Sequence, residues 1–418
     1  MIYTKKYPCG LRLVAKKMDG LFTVSFGVMV NVGSRNESPQ ENGYAHFLEH
    51  MLFKGTKRRT AVQINEEMDD IGATINAYTS KDITCFYTRS VSEDLEKCVD
   101  LLSDLYFNSQ FPEKEMEKEK AVVMEEINMC EDSPSDVSQD LIFKAAFHNQ
   151  PLGQTILGLP HNIEYCDRHS IIKFKNSHYN AANTVISVAG NFCFEQLDEL
   201  VQRYFADNFT GESVFVKAPK AEVTSEFAHK FKDIEQCHAE LAFGCCGADS
   251  EQRCAVNVIS VVLGGSTSSR MFRTIREEKG LAYEVFSAPS FYSKVGLIEI
   301  YAAVAPDKYD AYCDALHTVL KDFVEKGITD RELARVKTQA EKGMLMGTES
   351  SLALMRLYGK KMLQQNVAFD IKKEAETYLA LSKEQVNGLA AEIFSRKPAS
   401  SYVGRQTDNF DAVSRLTL

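Results

Sequence analysis

Hydrophobic and polar positions along this chain write one plan twice. Apolar-rich stretches near 10–16 and 22–32 predict strands, and a periodic segment at about 43–54 predicts a helix. Thr60 and Gln63 have the spacing of a capping box, opening a second helix that Gly72 closes. ATINAYTS and ITCFYTRSV, joined by a polar turn at Ser80–Asp82, predict a hairpin. Ser92 is placed to cap the next helix, to about 107, and Pro112 stands where another begins, EKEMEKEKAVVMEEINMCED. The strand NTVISVAGN and a helix at about 194–205 close the first half.

The second half repeats this order. The strand HAELAFGCC leads to helices near 251–263 and 268–278, then to the strand pair LAYEVFSAPSF and GLIEIYAAVA. Long helices follow, one opened by Thr329 with Glu332 and one by Ser382 with Gln385, before the closing strand SSYVGR. Strands, helices and a returning strand, twice over, predict an α+β fold of two similar domains, each a mainly antiparallel sheet flanked by helices. A length of 418 residues is too much for one ordinary core. The domains are expected at 1–215 and 230–418, with the polar, charge-mixed stretch 206–236 as the linker region.

Composition narrows the class. With 44% hydrophobic and 25% charged residues, the chain has the balance of a soluble globular protein. It has no run of 18 apolar residues, so no membrane span is expected. The N-terminal MIYTKKYPCGLRLVAKKM lacks the apolar core of a signal peptide. A net charge of −10 argues against nucleic acid as a partner. Eleven cysteines without a framework of spacings and without a CxxC pair fit a reduced, cytoplasmic compartment.

The chemistry is concentrated in HFLEH, residues 46–50. On a helix His46 and His50 lie about 40° apart, with Glu49 flanking them, while Phe47, Leu48, Met51 and Leu52 form the opposite, apolar face. Two imidazoles one turn apart can share a tetrahedral zinc ion. A carboxylate between them can take a proton from water and deliver it to a leaving amine. This HxxEH order is the inverzincin signature, the reverse of HExxH. A catalytic zinc site needs a third protein ligand, and the acidic helix at 113–131 is the natural source. Glu119 and Glu126, seven positions apart, share a face of that helix. Spacing alone leaves Glu125 and Glu126 both open.

GYAHFLEHMLFKGT, followed about 70 residues later by EKEKAVVMEEINMCEDSP, resembles the M16 zinc peptidases over almost the whole chain. These include the pitrilysins, the insulin-degrading enzymes and the mitochondrial processing peptidase, and the two-half layout is similar to the family's short bacterial branch. The resemblance implies a zinc metalloendopeptidase with one Zn2+ per chain, held by His46, His50 and Glu126. It implies Glu49 as general base and Glu119 as a supporting acidic residue. GATINAYTS resembles the family's edge strand, to which substrate adds as an extra strand, with Asn76 and Ala77 beside the scissile bond. REEKGLAY resembles the segment whose Arg and Tyr, here Arg276 and Tyr283, hold substrate and stabilise the oxyanion. The domain at 1–215 would then be catalytic. That at 230–418 would close a chamber that takes peptides or unfolded polypeptides. Because the family builds its chamber from four such domains, a homodimer, or a heterodimer with an inactive relative, is implied. The alternatives are a non-catalytic partner subunit, disfavoured because every motif residue is present, and a hydrolase of non-peptide amides, disfavoured by the edge strand.

Overall fold

The computed structural model describes residues 2–416. It contains two sheets, each with its own apolar core. The first sheet is built from β1 (Ile2–Lys6), β2 (Arg12–Lys17), β3 (Thr23–Val30), β4 (Thr74–Thr79), β5 (Thr84–Val91) and β6 (Thr184–Gly190). Its order is β1-β2-β6-β3-β5-β4, antiparallel except for the parallel pair β2 and β6. The second contains β7 (Phe227–Phe231), β8 (Cys237–Cys245), β9 (Ala282–Tyr292), β10 (Val295–Val304) and β11 (Ala399–Gly404), in the order β7-β11-β8-β10-β9. Here too a single pair, β7 and β11, is parallel. Removing β1 makes the two orders correspond strand for strand, as the repeated sequence pattern predicts.

Alternation along β3 explains how the first sheet is covered on both sides. Val24, Phe26, Val28 and Val30 enter the core shared with α1 (Tyr44–Leu52), α2 (Ala61–Asp69) and α3 (Leu95–Asn108). The alternate residues Ser25, Gly27 and Met29 meet the helix Ser351–Gln365. Ser25 Oγ lies 3.0 Å from Ser351 Oγ, and Ser187 Oγ donates to the Met355 carbonyl at 2.6 Å. A Cβ on Gly27 would stand 2.3 Å from Met355 Sδ, so any larger residue there would require the thioether to shift.

This helix belongs to the first compact unit although it comes from the second half of the chain. Conversely, α5 (Pro134–Ala146), which follows the long acidic helix α4 (Glu113–Asp132), packs on β11, β8 and β7 in the second unit. The first unit therefore comprises 1–127, 155–219 and 345–370, and the second 128–154, 220–344 and 371–418. The contiguous division at 215 and 230 expected from sequence becomes an exchange of one helix in each direction. The linker region 206–236 also contains β7, hydrogen-bonded as a full strand beside β11.

The capping boxes at Thr60–Gln63 and Ser382–Gln385 form as their spacing predicts, and Thr329 bonds reciprocally with Glu332. Ser92 does not cap α3; its hydroxyl donates to the Phe22 carbonyl. The segment expected as a helix near 268–278 is a π-helical stretch over Phe272–Glu278. No helix among the described residues is long and apolar enough to cross a membrane.

Candidate metal centre

Helix α1 is held at its N-terminus by a feature the sequence did not disclose. No serine or threonine caps it; the buried Glu37 does so from the preceding loop. One carboxylate oxygen accepts from Ala45 N–H at 2.6 Å, and the other accepts from Gly43 N–H at 2.8 Å and Asn42 Nδ2 at 2.9 Å. A negative charge suits the positive end of the helix. Burial nonetheless pushes the Glu37 carboxyl up to about 7 against the pull of those three donors. Gly43 has φ 104°, and a Cβ there would lie 2.8 Å from the Leu157 carbonyl oxygen. Only glycine fits this entry to the helix.

With α1 so fixed, Phe47, Leu48, Met51 and Leu52 are fully buried in the core. His46, Glu49 and His50 remain half-buried on the other face. Helix α4 runs past that face and completes a cluster. His46 Nε2 and His50 Nε2 are 3.2 Å apart, and Glu126 Oε2 lies 3.5 Å from the first and 3.6 Å from the second. It is Glu126, and not Glu125, that meets the histidines. Among the described residues this is the one group of three His, Cys, Asp or Glu side chains whose donor atoms converge.

The donor set fits zinc. Four ligands at ordinary Zn–N and Zn–O distances define a tetrahedron with edges of about 3.3–3.4 Å. The spacings of 3.2–3.6 Å match three corners of such a tetrahedron. His46 also suits it in protonation. Burial, and then the neighbouring His50, pull His46 down to about 3, so its ring is neutral in ordinary buffers. His50 Nδ1 sits 3.1 Å from Glu119 Oε1, an acceptor that orients the ring with Nε2 toward His46 and Glu126. Glu119 is itself buried, and Lys54 Nζ holds its other oxygen at 2.7 Å. Lys54 lies just past the end of α1, four residues after His50.

Glu49 stands beside this cluster. Burial raises its carboxyl above the usual range; Thr79 Oγ1, the last residue of β4, donates to Oε2 and opposes that rise. Thr79 thus links the edge strand of the sheet to the acid–base group. Asn76 and Ala77 lie on the same strand, whose outer side pairs with no other strand among the described residues. The Asn76 side chain accepts from Ala77 N–H at 2.7 Å. Arg276 and Tyr283 lie in the other compact unit. The guanidinium of Arg276 stacks on the rings of Phe272 and Tyr283, 4.7 and 5.0 Å from their centroids, and Tyr283 is 75% exposed. Sequence reasoning missed Glu37, Lys54 and Thr79, each of which acts through another residue.

A half-buried three-donor cluster with an adjacent carboxylate, on a helix beside a sheet edge, is an arrangement able to hold a metal ion. Comparison with known proteins supplies the family. Residues 13–159 match the profile described as Insulinase (Peptidase family M16), and residues 165–340 match that described as Peptidase M16 inactive domain. An uncharacterised zinc protease of Bacillus subtilis is 35% identical over 401 residues, covering 96% of this chain and 98% of its own. One from Mycobacterium tuberculosis is 32% identical, covering 95% and 92%. A protease from Helicobacter pylori has the same fold, with a TM-score of 0.92 at 22% identity over 97% of this chain and 99% of its own. The chain belongs to peptidase family M16.

Proposed function

We propose that this protein is a zinc-dependent endopeptidase that hydrolyses peptides or unfolded polypeptides at the cluster on α1 and α4. The observation that carries the reading is the convergence of His46, His50 and Glu126 at tetrahedral spacing with Glu49 alongside. Those three residues would hold one Zn2+ per chain. Bound there, the ion would polarise the scissile carbonyl and lower the pKa of water. The chain's own groups do the rest. Glu49 takes the proton of the attacking water on a carboxylate oxygen and returns it to the leaving amine nitrogen. Its raised pKa brings it nearer the neutral range in which both transfers are favourable. Thr79 keeps the carboxylate in place by donating to its other oxygen. Glu119 and Lys54 keep the His50 ring in its orientation.

Substrate adds along the outer side of β4, where main-chain pairing holds an extended chain while reading few side chains. Asn76 and Ala77 lie along the bond to be cut, and Ala77 N–H, now held by the Asn76 side chain, is a donor for the incoming strand. Arg276 and Tyr283 are assigned to substrate binding and oxyanion stabilisation, a role that their paired cation and exposed phenol suit chemically. The family resemblance further supports an enclosed chamber built by two copies of the chain and a cytoplasmic location.

Metal analysis of the purified protein alongside digestion of a mixed peptide library tests this reading. It predicts about one zinc per chain and internal cleavages that a chelator stops and added Zn2+ restores. A zinc-free protein that cuts peptides equally well with and without chelator would refute it.

A further inference from the structure

Opposite residues of an antiparallel pair share a sheet face, so Thr74 with Arg89, Asn76 with Tyr87, and Tyr78 with Cys85 lie on one face of the β4–β5 hairpin. Ile75, Ala77 and Phe86 turn the other way, into the core. The helix Ser351–Gln365 brings Arg356 over this first face. Its guanidinium carbon is 5.4 Å from the centroid of the Tyr78 ring and 4.7 Å from that of Tyr87, and Nη2 donates to the Tyr87 hydroxyl at 2.7 Å. Among the described residues no carboxylate pairs with Arg356, and its buried Nε has no hydrogen-bond partner. Arg89 on β5 and Lys360 on the helix, four residues after Arg356, are exposed. A half-buried guanidinium that has exchanged water for two aromatic faces, with no counter-charge, is a site prepared for an anion.

We propose that Arg356, with Tyr78 and Tyr87, forms a specificity subsite that takes a carboxylate of the substrate. The inference rests on the edge-strand reading given above. A strand added to β4 lies about 4.8 Å from it, and every second side chain shares the face of Asn76 and Tyr78. Side chains directly opposite are about 5 Å apart and diagonal ones about 7–8 Å, so an Asp or Glu beside Tyr78 reaches the guanidinium. A free peptide C-terminus that ends beside Tyr78 would present the same chemistry. Arg356 contributes no ligand or proton to the reaction. It selects which peptides are cut and where.

Two peptide sets separate the sources of the carboxylate. One has Asp or Glu scanned through a neutral sequence with an amidated C-terminus, and the other is neutral with a free C-terminus. Each is measured for kcat/KM with the zinc-loaded wild type, Arg356→Gln and Arg356→Glu, and for binding with Glu49→Gln protein carrying or lacking Arg356→Gln. An acidic residue at one fixed position should raise kcat/KM on the order of tenfold in the wild type, mainly through KM. Arg356→Gln should remove that gain, so that acidic and neutral peptides are cut with equal kcat/KM, and Arg356→Glu should move the preference to Lys or Arg at the same position. Melting temperatures show that the variants are folded, and the reversed preference is a readout that a structural role would not produce. If wild type and Arg356→Gln cleave or bind with the same ratio of acidic to neutral peptides, the subsite is wrong. If no peptide is hydrolysed but Arg356 still sets that ratio in binding to the Glu49→Gln protein, the subsite stands and the peptidase reading fails.

Discussion

Helix α1 and the helix Arg253–Leu263 occupy the same place in the two repeats: each follows the strand at the middle of its sheet and precedes the hairpin at the sheet edge. Their sequences are YAHFLEHML and RCAVNVISVVL. The first buries one face and leaves His46, Glu49 and His50 half-buried on the other. The second buries Ala255, Val256, Val258, Ile259, Val262 and Leu263 and carries no imidazole or carboxylate. The scaffold by itself therefore makes no site. The candidate site depends on three polar side chains in one turn of α1, on Glu126 of α4, and on buried partners that no apolar helix needs. Glu37 anchors the helix end, Glu119 and Lys54 orient His50, and Thr79 holds Glu49. The second unit also buries a carboxylate, Glu240, but leaves one of its oxygens without a hydrogen bond. Glu37 and Glu119, by contrast, have both oxygens engaged.

Breaking that contrast at its strongest point means removing a ligand. His50→Ala should take the zinc content from about one per chain to near zero and abolish hydrolysis, while Val258→Ala, on the helix Arg253–Leu263 of the second unit, should leave metal content alone. Atomic absorption on the dialysed proteins reads both. Core truncations come next. Leu48→Ala and Ile259→Ala each remove a fully buried side chain and should each cost about 2–5 kcal/mol in denaturant titration. Only the first should also weaken zinc, because it loosens the helix that carries the ligands.

The partly partnered acid sharpens the contrast through pH. Burial, reinforced by neighbouring Glu299, pushes Glu240 up to about 8 from 4.5. The folded state therefore keeps this proton after the unfolded state has lost it. The protonated side chain's contribution is complete below the unfolded pKa and is lost as pH rises toward about 8. Glu240→Gln should gain stability relative to wild type across that window, on the order of a few kcal/mol, and the difference should level off above it. A pH-independent difference would show that Glu240 is ionised in the folded protein. The smallest expected effect is that of the supporting shell. Glu119→Gln should weaken zinc about 10–100-fold in competition with a chelating dye, and Glu125→Gln should not change it.

Much of this was legible in the sequence for local reasons. HFLEH announces both the helix phase and the chemistry, and the capping pairs at Thr60, Thr329 and Ser382 act within one turn of themselves. The hairpin at β4 and β5 shows as alternation on either side of a polar turn. What was illegible depends on distant parts of the chain. The exchange of α5 and the helix Ser351–Gln365 between units leaves no local trace, because an amphipathic helix does not record which sheet covers it. Glu125 and Glu126 are adjacent on α4, and only the position of α1 selects Glu126. Glu37 lies six residues before the helix end it caps, outside any capping spacing. The π-helical turn at Phe272–Glu278 likewise has an ordinary helical composition.

The central claim is that one carboxylate, Glu49, performs proton transfer at a zinc site it does not help to hold. Glu49→Gln preserves shape and all three ligands, so zinc content and peptide cleavage measured on the same preparation test the claim directly. The account predicts about one zinc per chain, as in the wild type, with hydrolysis reduced about 10²–10⁴-fold. Cleavage at the wild-type rate by the zinc-loaded variant, or loss of zinc along with activity, would contradict it.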